Sequence, residues 1–152
     1  MHVLVVDLDP QGNASTALGA EHRSGTPSSY ELLLGECTLE ECIQKSTAGE
    51  GVFVVPATID LAGSEIELVS MVAREKRLKD ALDDSYLDEL GIDFVFIDCP
   101  PSLGLLTINA MVAADEILLP IQCEYYALEG VGQLLNNINL IPVSYTHLRA
   151  HE

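Results

Sequence analysis

Four short, nearly unbroken apolar runs punctuate the chain, at residues 3–8, 52–56, 94–97 and 116–121. Each is rich in Val, Ile, Leu or Phe and has the length of a strand. Such runs, without polar alternation, read as parallel strands buried on both faces. Between them the apolar positions recur at helical spacing or yield to turn residues. Residues 10–19 are turn-rich and run into a short helical stretch. Residues 28–34 predict a short helix stopped by Gly35, and residues 38–45 another, with Thr38 as N-cap and Glu41 at the capping-box spacing. Residues 60–90 predict a mainly helical segment, with Ile66, Val69, Val72 and Ala73 on one face and Leu78 and Leu82 following. Helices are also predicted over 107–114 and 128–141. Strands alternating with helices imply βαβ units and a parallel sheet, an α/β fold. Residues 142–152 follow a helix-stopping proline and stand apart as a tail that reads as foreign to the domain.

Composition narrows this reading. A chain of 152 residues, 48% hydrophobic, suits one domain with a sizeable core. No stretch approaches the roughly 18 consecutive apolar residues of a membrane span. Met1-His2 leads straight into a strand, so no secretory leader is expected, and the expected location is cytoplasmic. A net charge of −17 argues against a basic nucleic-acid face within these residues. Cys37, Cys42, Cys99 and Cys123 form no C-x-x-C pair and no zinc spacing, so reduced, mostly buried thiols are expected. His147 and His151 lie four apart, but no third ligand accompanies them.

The candidate chemistry sits where two of the runs end. Val5-Val6-Asp7-Leu8-Asp9-Pro10-Gln11-Gly12-Asn13 and Phe94-Val95-Phe96-Ile97-Asp98-Cys99-Pro100-Pro101-Ser102 each close an apolar run with aspartate and a turn. In open α/β sheets ligands bind beyond the carboxyl ends of the strands. Carboxylates delivered there from two strands suit Mg²⁺ beside a phosphate, because Mg²⁺ takes hard oxygen ligands and keeps several waters. Aspartates after strands also cap helices, and Gln11 and Asn13 also fit ordinary turn chemistry. Cys99 reads as a small buried filler, and Tyr125 and Tyr126 as packing residues.

Several further blocks accompany these motifs. They are Leu61-Ala62-Gly63-Ser64-Glu65-Ile66-Glu67-Leu68-Val69, Arg77-Leu78-Lys79-Asp80-Ala81-Leu82, Asn109 in Thr-Ile-Asn-Ala, and residues 119–130. In order and spacing the set resembles the ParA/Soj group of chromosome- and plasmid-partitioning ATPases. That group lies within the deviant-Walker P-loop class that also holds the MinD and nitrogenase-iron-protein groups. The resemblance covers about residues 3–141 and implies a P-loop NTPase-like three-layer sandwich with a partial ParA-type ATPase domain over 1–141. It implies ATP and Mg²⁺ as cofactors. It casts Asp9 as the switch I residue that activates the attacking water near Mg²⁺, with Asp7, Pro10, Gln11, Gly12 and Asn13 forming its loop. Asp98 is cast as the Walker B aspartate, holding Mg²⁺ through a water, and Pro100, Pro101 and Ser102 as the switch II turn. An ATP-bound homodimer, non-specific DNA, a ParB-type centromere-binding partner, nucleoid association and no membrane are implied with it.

The chain also departs from the group. No Gly-x-x-x-x-Gly-Lys-Ser/Thr loop occurs among the 152 residues. The group places a strand, that loop and a helix ahead of the strand at 3–8, in sheet order 3-2-4-1-5. The resemblance therefore implies that these residues alone bind ATP weakly or not at all and do not hydrolyse it. It also implies an open, apolar edge on the 94–97 strand and poor independent stability. Other readings stay open. One is a MinD-like or cellulose-synthesis-associated positioning ATPase, and another is a non-catalytic interaction module without a phosphate loop. A dinucleotide-binding or flavodoxin-like fold is disfavoured, since no Gly-x-Gly-x-x-Gly follows the first strand.

Overall fold

Asp7 and Asp98 stand opposite each other at the carboxyl ends of two neighbouring parallel strands. The computed structural model that shows this describes residues 1–120. Met1–Ala113 form one compact unit, and a second begins at Ala114. The first unit carries β1 (His2–Asp7), α1 (Asn13–Ala17), α2 (Ser29–Leu34), α3 (Leu39–Cys42), β2 (Gln44–Lys45) and β3 (Val52–Val55). A 3₁₀ turn (Ile59–Gly63) and α4 (Ser64–Val69) follow, then α5 (Arg77–Ala81), α6 (Asp84–Glu89), β4 (Ile92–Asp98) and α7 (Leu105–Ala113). The strands form one sheet in the order β2-β3-β1-β4. β3 and β4 flank β1 in parallel, and β2 pairs antiparallel with β3.

Register divides the sheet into two faces. Leu4 lies opposite Val95, and Val6 opposite Ile97. This face packs on Leu32 and Leu33 of α2, Leu68 of α4, Leu78 of α5, and Leu106 and Ala110 of α7. On the other face Val3 lies opposite Phe94 and Val5 opposite Phe96, and both phenylalanines are more than half exposed. Among the described residues β4 is bonded on one side only. The order β3-β1-β4 matches the 3-2-4 part of the expected sheet.

Capping chemistry fixes two helices, α3 as expected and α2 through a box the sequence reading did not name. Ser28 caps α2 in a capping box with Glu31, and Gly35 ends it at φ 76°, a left-handed conformation that favours glycine. Thr38 caps α3 with Glu41. That helix is shorter than expected, because Ile43 turns extended and Gln44–Lys45 join the sheet beside Phe53 and Val54.

Three expectations need correction. Residues 60–90 are four short helical pieces, interrupted at 70–76, where Ala73 has φ 52°. Their apolar stripe faces outward: Ile66 is 82% and Val72 89% exposed, while Leu68 takes the core position. Residues 116–120 form no strand, since no ladder partner satisfies their backbone groups among the described residues. Cys37 and Cys42 are joined as a disulfide rather than reduced. α3 begins two residues after Cys37, beyond the Thr38 cap, and its single turn brings the buried Cys42 back to it. The helix expected at 128–141, the tail at 142–152, and Cys123, Tyr125, Tyr126, His147 and His151 lie outside the described residues. Among the described residues no helix is long and apolar enough to cross a membrane.

Candidate functional site

The site is built from the turn after β1. Asp7 is fully buried, and both of its carboxylate oxygens are engaged. Oδ1 accepts the Asp9 N–H at 3.0 Å, and Oδ2 accepts the Ser15 N–H at 2.8 Å and the Ser15 hydroxyl at 2.7 Å. The Ser15 hydroxyl oxygen in turn accepts the Ala57 N–H at 2.9 Å, which ties the loop to the end of β3. Asp7 is therefore the internal brace of the loop rather than an open ligand.

Asp9 is less enclosed. One oxygen accepts the Gln11 N–H at 3.0 Å, and the Asp9 carbonyl accepts the Gly12 N–H at 2.8 Å. This tight turn needs Gly12 at φ 65°, and a Cβ there would come within 3.0 Å of His22 and 3.3 Å of the Ala57 carbonyl. Asn13 then opens α1, and the Thr16 hydroxyl donates to the Gly12 carbonyl at 2.9 Å. Gln11 and Asn13 are exposed, and Pro10 is half-buried.

Asp98 stands across the sheet from Asp7, and its carbonyl accepts the Leu8 N–H at 2.8 Å. Partial desolvation, then the negative charges of Asp7 and Asp9, push its carboxyl above the ordinary carboxylate range, while the Cys99 N–H pulls the other way. Burial, followed by the charge of Asp98, pushes the Cys99 thiol up to about 11. It stays protonated at neutral pH, which suits an inert filler. Pro100 is half-buried, and Pro101 and Ser102 are exposed on the following turn. The Thr107 hydroxyl anchors that turn by donating to the Ser102 carbonyl at 2.6 Å.

Asp7, Asp9 and Asp98 thus lie toward one end of the sheet, close enough to raise the Asp98 carboxyl, and no basic side chain is paired to them among the described residues. A hard divalent cation would relieve that repulsion. No group of three or more candidate ligands lies together among the described residues. This donor set fits Mg²⁺, which is bound through one or two carboxylates, waters and phosphate oxygens rather than by an all-protein cage. With Asp7 buried and both its oxygens engaged, Asp9 and Asp98 are the more open groups to hold it.

The structure places Asp7 opposite Asp98 at the strand ends, with Asp9 on the turn beside them. The sequence reading missed Ser15 and Thr107. Ser15 lay in an Asn-Ala-Ser-Thr stretch indistinguishable from ordinary turn composition. Thr107 was taken for a helix position, and only its hydroxyl geometry shows its hold on the turn.

The sequence matches the AAA domain family over residues 1–148. It is 51% identical over 139 residues to the sporulation initiation inhibitor protein Soj of Bacillus subtilis (strain 168), covering 91% of this chain and 53% of that protein. It is 50% identical over 138 residues to the chromosome partitioning protein ParA of Myxococcus xanthus (strain DK1622), covering 91% and 47%. The fold is similar to a crystal structure of cobyrinic acid a,c-diamide synthase from Mycobacterium smegmatis with bound ATP analog and magnesium. There the TM-score is 0.80 and the identity 44%, covering 91% of this chain and 55% of that one. The chain spans about half the length of the curated relatives it matches.

Proposed function

Because the chain belongs to the AAA domain family and to the ParA/Soj group within it, we propose that the whole protein is a Mg²⁺-dependent ATPase that drives chromosome or plasmid partitioning. The observation that carries this reading is the pairing of Asp7 with Asp98 at the ends of adjacent parallel strands, with Asp9 beside them. Phosphoryl transfer asks a protein for positioning and charge neutralisation rather than covalent chemistry. When bound, Mg²⁺ supplies the neutralisation at the phosphate oxygens.

The residues divide the remaining work. Asp98 would hold Mg²⁺ at the end of β4, where the ion would supply charge neutralisation. Asp9 orients the attacking water and takes its proton. Asp7 keeps the Asp9 turn in place through Ser15. Pro10, Gln11, Gly12 and Asn13 shape the loop beside the nucleotide, and the turn of Pro100, Pro101 and Ser102 reads the terminal phosphate. In the whole protein an ATP-bound homodimer binds DNA non-specifically, and a ParB-type partner stimulates hydrolysis. With 7 Lys and Arg against 24 Asp and Glu, these 152 residues supply no basic surface for that DNA. They also lack the phosphate loop, so alone they bind ATP weakly at most.

ATP turnover by the whole protein tests the proposal. Asp9→Ala is expected to lower kcat by about 100-fold or more, as loss of a positioned base does. Asp98→Ala is expected to weaken Mg²⁺ activation by about 10- to 100-fold, as loss of an outer-sphere partner does. Unchanged turnover in both variants overturns the assignment.

A further inference from the structure

The turn that follows Asp98 is held mostly from outside itself. Pro100 and Pro101 have no N–H to give. Among the described residues no backbone–backbone hydrogen bond joins any two of residues 99–104; Gly104 contributes only its carbonyl, to the Ile108 N–H at 3.1 Å. Side chains fix the turn instead. The Thr107 hydroxyl holds Ser102 from within α7. The second hold comes from α4, more than 40 residues away: the Glu65 carboxylate accepts the Leu106 N–H at 3.3 Å, at the start of α7.

The backbone at Gly104 bears on the same contact. A Cβ added at Gly104 would overlap the Glu65 carboxylate. Gly104 is not in a left-handed conformation, so space, rather than backbone freedom, is what glycine provides there. The chain leaves out a side chain just where the carboxylate crosses the turn.

α4 is a firm base for this contact. Leu68 is buried in the core, the buried Ser64 hydroxyl donates to the Leu61 carbonyl at 2.7 Å, and Glu67 accepts the Tyr30 hydroxyl at 2.9 Å. α7 is pinned separately in its middle. The buried Asn109 amide donates to the Arg74 carbonyl at 2.8 Å and accepts the Leu78 N–H at 3.1 Å. Asn109 already secures the docking of the helix, so Glu65 acts on its first turn and on the segment leading back to Asp98. A negative charge is also favoured at a helix N-terminus.

We propose that Glu65 is a positioning residue for the Asp98–Gly104 segment, latching the start of α7 to α4 and so fixing the turn that reads the terminal phosphate. The inference rests on the ATPase reading above for its catalytic consequence, but not for the latch itself.

Two measurements on the whole protein separate these parts. The first is amide hydrogen exchange at Leu106 and across the turn. Glu65→Ala is expected to speed exchange there by about tenfold, with the β1 and β4 amides unchanged, because a charged acceptor has been lost from one N–H. Glu65→Gln keeps an acceptor oxygen and is expected to restore protection. Gly104→Ala is expected to mimic Glu65→Ala, and to add nothing once Glu65 is already Ala. Unchanged exchange in Glu65→Ala overturns the latch, as does acceleration spread evenly over the chain or full additivity with Gly104→Ala. The second is steady-state ATP turnover. Glu65→Ala is expected to lower kcat with the KM for ATP unchanged, and Glu65→Gln to recover it. A change in KM alone overturns the positioning role. If the unsubstituted protein turns over no ATP while exchange responds as expected, the latch stands and the ATPase reading falls.

Discussion

Asp7 and Asp9 lie two residues apart in one motif and do different work. Asp7 is sealed from solvent and accepts three hydrogen bonds, whereas among the described residues the Asp9 carboxylate accepts one, on one oxygen. Asp7→Ala is therefore expected to destabilise the chain by on the order of 3 kcal/mol, the scale for stranding buried donors of a charged acceptor. Asp9→Ala is expected to leave the urea midpoint nearly unchanged. Equal losses in both would contradict the division. Asp98 adds a pH-dependent contrast. Its carboxyl is raised in the folded state by desolvation and by Asp7 and Asp9. A raised carboxyl binds its proton more tightly when folded. The folded state therefore loses stability as pH rises from the ordinary aspartate value, about 3.9, through the raised one. Asp98→Asn removes that loss. Its stability gain is expected to be present at pH 7 and to shrink toward zero as pH falls to about 4. Urea titrations of both proteins across that range measure it, and a gain independent of pH would contradict the electrostatic cause.

At the scale of elements, β4 carries the sharpest consequence. It is an edge strand among the described residues, with Phe94 57% and Phe96 55% exposed on the face it shares with Val3 and Val5. Unpaired strand edges with apolar neighbours associate. Replacing both Phe94 and Phe96 with lysine is expected to reduce concentration-dependent association in sedimentation while the core face of Leu4, Val6, Val95 and Ile97 stays packed. Undiminished association would place the contact elsewhere. This strand, β1 and β3 were legible in the sequence because a continuous apolar run ending in a turn residue has few other solutions. The cap at Thr38 was legible because Glu41, three residues on, declares it, whereas the Ser28 box with Glu31 emerged only in the structure. The segment from 60 to 90 was not legible. Period alone reports that Ile66, Val69 and Val72 share a face, not that Leu68 owns the core, nor that the chain leaves the helix after Val69. The Cys37–Cys42 pair was missed for a related reason. Their spacing matches no metal or redox pattern, and only the short turn of α3 brings them together. Of the site, the carboxylates were legible, but the groups that hold them in place were not. Ser15, Thr107 and Glu65 act through distances that no local pattern encodes.

For the whole molecule the dominant fact is charge. Its 24 acidic side chains face 7 Lys and Arg, and the described residues contain two ion pairs, Arg23 with Glu21 and the N-terminus with Asp93. Two arginines are spent elsewhere: Arg77 donates to the Leu33 carbonyl and Arg74 to the Val69 carbonyl, each at 2.9 Å, closing the ends of helices rather than neutralising carboxylates. Such self-repulsion weakens the compact state and is screened within about 10 Å at 0.1 M salt. The melting temperature is therefore expected to rise between low and moderate NaCl by about 3 °C, the shift for roughly 1 kcal/mol in a chain of this size. MgCl₂ separates that diffuse effect from the site. At matched ionic strength, screening alone predicts the same melting temperature in both salts. A cation held at Asp9 and Asp98 adds stability by mass action on the folded state. The excess stabilisation in MgCl₂ is expected to disappear in Asp98→Asn while the response to NaCl persists. An equal excess in both proteins would assign the Mg²⁺ effect to the acidic surface at large and remove the metal from the two strand ends.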